Sequence, residues 1–181
     1  MPLQRQDARV QYAIVTASYW AFTLTDGALR MLVVLFFHEL GFSPLEVASL
    51  FLLYEFFGIV TNLFGGWLAA RIGLNLTMHA GMALQIIALG MLMIDPSALT
   101  ISYVMIAQAL SGIAKDLNKM SAKSAIKNLV KDDGGLYQWV AALTGSKNAL
   151  KGLGFFLGGA LLAALGFQGA LFAMMLLLGV T

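Results

Sequence analysis

The sequence predicts an all-α integral membrane protein of six spans, and three observations predict it. The 181 residues are 60% hydrophobic and only 11% charged, with a mean hydropathy of +0.83, whereas a soluble domain carries about a quarter charged residues. The apolar residues gather in runs near the ~20 that a membrane helix needs. The lysines and arginines that lie outside those runs fall at the N-terminus and on alternate links, the bias that orients multi-pass proteins.

The N-terminal "MPLQRQDARVQ" is polar and enters a long apolar segment without an A-x-A cleavage site, so the segment reads as an uncleaved span. It covers about 12–37 and carries the polar string "TLTDGALR". "HELGFSP" links it to a second span, about 44–69. Ser43 suits the cap of that helix, Pro44 its first turn, and Glu46 completes a capping box. "ARIGLN" is a basic turn, and a third span, about 77–94, closes at "DPS". The fourth, about 99–119, runs on into a lysine-rich helix that "KDDGG" ends. A fifth span covers about 140–165, and "GFQG" turns the chain into a last apolar run, 169–181. At about 1.5 Å per residue that run is too short to cross, so the chain is expected to stop inside a sixth span of a longer protein.

Arg5, Arg9, Arg71, Lys123, Lys127 and Lys131 fall on one side if the spans alternate. The opposite links, near Gly41, Asp95 and Gly166, contain no basic residue. The N-terminus is therefore expected on the cytoplasmic side of the cell's inner membrane.

Lys115, Lys119, Lys123, Lys127 and Lys131 recur at every fourth position, five of the eleven basic residues. Four residues advance a helix by about 400°, so the lysines form one slowly winding stripe. The lower three fit a cytoplasmic helix touching anionic lipid. Lys115 and Lys119 lie higher, on a stripe with Gln108, Ser111 and Gly112 inside the apolar segment. They either snorkel to headgroups or face a wet bundle interior.

Other spans repeat the pattern. Tyr19, Thr23, Asp26 and Arg30 share a face of the first, and Asp26 and Arg30 are spaced to neutralise each other or to meet a ligand. Glu55 lies with Gly58 and Asn62 on the second, as a proton carrier or a lysine's partner. Thr144, Lys147, Asn148 and Lys151 share a face of the fifth. Arg30, Lys115, Lys119, Lys147 and Lys151 outnumber Asp26, Glu55 and Asp116, and an entering anion would relieve that surplus. Arg30, Lys115, Lys119, Lys147, Lys151, Asn148 and Gln108 are thus the candidate binders of a small phosphate-type anion. Asp26 and Glu55 are candidates for proton coupling or charge pairing.

Other chemistry finds little support. Without cysteine there is no thiolate metal site and no thiol nucleophile. His38 and His79 are isolated, so no metal is expected, and no Walker loop, HExxH or GxSxG suggests an enzyme. No cofactor is implied. A net charge of +2 gives no reason to expect nucleic acid.

"GGWLAARIG" resembles the loop 2–3 signature G-x-L-a-D-r-x-G of the major facilitator superfamily, with Gly66, Leu68, Arg71 and Gly73 matching and Ala70 in place of the acidic residue. "GFFLGG" resembles that superfamily's fifth-span motif G-P-x-x-G-G, with Phe155 in place of proline. Longer strings, "YWAFTLTDGALRMLVVLFFHELGFSPLEVA", "LLYEFFGIVTNLFGGWLAARIGLN", "AQALSGIAKDLNKMSAKSAIK" and "LTGSKNALKGLGFFLGG", are similar to the ArsJ-type organoarsenical exporters within it. The resemblance implies the six-helix N-terminal bundle of a twelve-helix transporter, two inverted three-helix repeats partnered by a C-terminal half. It also implies export of 1-arseno-3-phosphoglycerate, made from arsenate by a partner glyceraldehyde-3-phosphate dehydrogenase, and hence arsenate resistance. An exporter or antiporter of another organic anion would use the same charges, and a complete six-span channel or membrane assembly subunit is the alternative from a different class.

Overall fold

Helices account for nearly all of the computed structural model, which describes residues 2–129 and 133–181, with side chains for 10–125 and 137–181. In chain order they are α1 (Pro2–Glu39), α2 (Pro44–Ser49), α3 (Leu52–Ile72), α4 (Leu74–Met91), a 3₁₀ turn (Pro96–Ala98), α5 (Ile101–Leu129) and α6 (Asp133–Gly179). No strand occurs among the described residues. Lys131 of the lysine ladder lies outside them, as does the Lys127 side chain.

Four stretches are long and apolar enough to cross a membrane: Val10–Glu39, Pro44–Ile72, Leu74–Met91 and Tyr137–Gly179. The polar strings do not break the helices that carry them. Within α1 the Thr23 hydroxyl donates to the Tyr19 carbonyl at 2.8 Å, and Thr25 donates to the Phe22 carbonyl at 2.9 Å. These hydroxyls thereby satisfy themselves on their own helix.

The expected start of the second span is present. The Ser43 hydroxyl accepts from the Glu46 N–H at 3.4 Å, and the Glu46 carboxylate accepts from the Ser43 N–H at 2.8 Å. The span is not one unbroken helix, however: a turn at Leu50–Phe51 separates α2 from α3. The Ser49 hydroxyl donates to the Glu46 carbonyl at 2.6 Å, the type of back-bonding that bends helices. At the opposite link, Asp95 accepts from the Ser97 hydroxyl at 2.6 Å and the Ser97 N–H at 2.8 Å. Those two bonds hold its carboxyl below the usual range.

The pairing of residues gives each helix a direction. Tyr12 meets Trp139, Trp20 donates to Ser146, and Gly27 faces Gly154, so α1 and the first arm of α6 run parallel. At Gly166 the backbone leaves the helical region with φ of 70°, a left-handed conformation that glycine adopts without a Cβ penalty. Beyond it Phe167 stacks on Phe36 at 3.8 Å, and the Thr181 carbonyl accepts from Ser18 at 3.4 Å. The second arm therefore runs antiparallel to α1, and α1 is gripped by both. Tyr54 with Gly112, and Asn62 with Lys119, set α3 parallel to α5. Gln85 with Ser111, and Met91 with Tyr103, set α4 antiparallel to α5.

The core of Leu29, Leu32, Val33, Phe37, Leu50, Leu89, Leu92, Val104, Leu171 and Met174 lies among α1, α2, α4, α5 and the second arm of α6. Leu52, Phe56, Ile59, Leu63, Phe64 and Trp67 stand exposed on α3. An apolar face of this size suits lipid or another apolar surface. α5 is enclosed rather than peripheral and polar inside: Gln108, Ser111, Asp116, Asn118 and Ser121 are all buried.

Candidate functional site: a cation-rich cavity

A cavity of about 270 Å³ opens among α1, α3, α5 and the first arm of α6. α4 contributes nothing to its wall and backs α5 instead. Asp26 and Arg30 enter from α1, Glu55, Gly58 and Asn62 from α3, Lys115, Asp116 and Lys119 from α5, and Lys147 and Lys151 from α6. Seven of the nine residues singled out from the sequence thus come together.

The other two do not line it. Asn148 is exposed on α6, one position beyond Lys147. Gln108 is fully buried, and neither its Oε1 nor its Nε2 has a partner among the described residues. α5 therefore has two polar sides. Lys115, Asp116 and Lys119 face the cavity, while Ser111 turns to α4, where its hydroxyl donates to Gln85 at 2.7 Å.

Charge in the cavity is partly paired. Arg30 Nη2 lies 2.6 Å from Glu55 Oε1, and Lys115 Nζ lies 3.6 Å from Glu55 Oε2. Asp116 is buried between Lys119 at 3.1 Å and Lys115 at 3.8 Å. The Lys119 ammonium also reaches the Asn62 side-chain oxygen at 3.5 Å, so it points into the bundle rather than toward headgroups. Five cations meet three carboxylates here. Lys147 and Lys151 form no ion pair among the described residues. Lys147 instead feels the like charges of Lys119, Lys151 and Lys123, offset in part by Asp26.

Tyr54 organises the inner end, and it was not singled out from the sequence. Its ring is fully buried, and its hydroxyl donates to Asp26 Oδ1 at 2.6 Å. The Arg30 guanidinium lies 4.0 Å and the Lys115 ammonium 4.2 Å from the ring centroid, so both cations use its π-face. Position 112 must be glycine for this packing, since a Cβ there would meet the Tyr54 carbonyl. The signal was available: Tyr54 precedes Gly58 by four residues and so shares its face.

A helical bundle with apolar outer faces and a charged interior cavity defines a multi-pass membrane protein. The model of the Major Facilitator Superfamily matches residues 15–181, and the chain belongs to that superfamily of membrane transporters.

Proposed function

We propose that this chain forms the N-terminal half of an exporter of an organic phosphate-type anion, working by alternating access. The observation that carries the reading is the cavity's cation surplus, with Lys147 and Lys151 left without carboxylate partners among the described residues. In a low-dielectric setting such a surplus favours an anionic guest. By resemblance the guest is 1-arseno-3-phosphoglycerate, supplied by a glyceraldehyde-3-phosphate dehydrogenase, and export confers arsenate resistance.

The helix directions support six crossings as two inverted three-helix repeats: α1, α2–α3 and α4, then α5 and the two arms of α6. A second bundle covers the cavity's open side. The N-terminus, Arg71 and Lys123 then share the cytoplasmic face of the inner membrane. Asp26 and Glu55 serve as charge partners within the site: Asp26 fixes Tyr54, and Glu55 bridges Arg30 and Lys115.

Inside-out vesicles bearing the full-length protein are expected to accumulate the dehydrogenase-made arsenical. Uptake of other organic phosphates but not the arsenical would reassign the substrate. Uptake of neither, in vesicles that contain the folded protein, would refute anion transport and favour a channel or assembly subunit.

A further inference from the structure

The geometry points to Glu55 as a built-in stand-in for the transported anion: its carboxylate occupies Arg30 and Lys115 in the empty site, and the incoming anion binds by displacing it. This rests on the anion-transport reading above and adds how the site stays balanced without cargo and what the cargo must outcompete.

Both Glu55 oxygens are engaged, and by cations from different helices: Oε1 with Arg30 of α1 at 2.6 Å, Oε2 with Lys115 of α5 at 3.6 Å. A phosphate-type group placed between these cations would make the same bridge. The three carboxylates of the cavity are not equivalent. Asp116 is buried against Lys119, and Asp26 is buried against the Tyr54 hydroxyl. The Glu55 side chain is 57% exposed, against 20% for Arg30 and 23% for Lys115. Glu55 alone of the three can swing away without losing a buried bond.

The two cations do not depend on Glu55 for their positions. Arg30 and Lys115 rest on the buried Tyr54 ring at 4.0 Å and 4.2 Å, and Lys115 also has Asp116 at 3.8 Å. They stay aimed at the cavity once the carboxylate leaves. Arg30 Nε is buried with no hydrogen-bond partner among the described residues. It supplies a second guanidinium donor to an anion able to accept a forked pair. Lys147 and Lys151, with no carboxylate paired to them among the described residues, meet the anion first.

Exchange of one anion for another has a further effect. The inner cations are compensated in the empty state as in the loaded one, so the membrane interior never holds them bare. Anions that bind more weakly than a bridging carboxylate are held off.

The test is isothermal titration of inorganic phosphate into the full-length protein in nanodiscs, for wild type, Glu55→Gln and Glu55→Asp, with thermal unfolding of each. A partly exposed ion pair is worth up to about 1 kcal/mol, so removing the competitor is expected to tighten phosphate binding on the order of two- to five-fold. Glu55→Asp keeps the charge but is a methylene too short to bridge, and it is expected to tighten binding as well. Tightening by Glu55→Gln alone would replace displacement by through-space repulsion and overturn the proposal. Weaker binding by both would make Glu55 a positioning residue for the cations, which also overturns it. Phosphate binding by none of the three folded proteins would sink the transport reading together with this one.

Discussion

Replacing Lys147 by alanine separates binding from folding more cleanly than any other change in the cavity. Lys147 lines it from α6 and has no carboxylate partner among the described residues, so no ion pair is lost. The like charges of Lys119, Lys151 and Lys123 act on it against the single opposite charge of Asp26, so its removal relieves net repulsion. The thermal midpoint should therefore stay level or rise. A charge-assisted hydrogen bond to a phosphate oxygen is worth about 1.5–3 kcal/mol. Lys147 is only partly buried, and solvent screening favours the lower half of that range. The apparent KM for anion uptake by inside-out vesicles should rise about 10- to 40-fold. The defect should narrow as salt lowers the wild type toward the variant. Arg30→Ala differs, because it strands Glu55 and uncovers the Tyr54 ring. It should lower stability and transport together. A Lys147→Ala protein with the wild-type KM, or one that unfolds early, would refute the view of Lys147 as an uncommitted cation awaiting cargo.

Two other perturbations test the surrounding structure. Gly154→Leu should destabilise by about 1–3 kcal/mol through overpacking, because a Cβ there already lies 3.1 Å from the Gly27 Cα; an unchanged thermal midpoint would show that the α1–α6 seam is looser than described. Gln108→Leu removes two buried polar atoms without partners and should raise stability by about 1–3 kcal/mol with transport retained. Loss of transport in a stabilised Gln108→Leu protein would return Gln108 to the binding site.

Much of this was legible in the residues because the membrane simplifies the code. A charge inside an apolar run is costly in lipid, so Arg30, Lys115 and Lys147 had to find a common interior, and helical spacing showed which face each would use. The capping box at Ser43 and Glu46 was equally readable, since it depends on four consecutive residues. Relations across helices were less so. Gln108 shares a stripe with Lys115 on paper, but seven residues advance a helix by about 700°, which turns the two side chains about 20° apart. The two also stand about 10.5 Å apart along the helix axis, and the cavity reaches Lys115 but not Gln108. Asn148 fell outside because one step along α6 from Lys147 turns it about 100° away, where it is exposed. Tyr54 stayed hidden because an aromatic residue in a span looks like lipid-facing bulk until its hydroxyl partner, 28 positions earlier, is known.

The packing of the four cavity helices has a mechanical consequence. α1 lies between both arms of α6, locked to the first at Gly154, while α3 and α5 interlock where Tyr54 crosses Gly112. The walls thus behave as two jaws, one bearing Arg30, Lys147 and Lys151, the other Glu55, Lys115 and Lys119. The 2.6 Å contact from Arg30 to Glu55 and the 2.6 Å bond from the Tyr54 hydroxyl to Asp26 both span the gap between them. Prising the jaws apart would have to break both bonds and part the apolar core that α1 shares with α5, so the chain's own helices resist opening on this side.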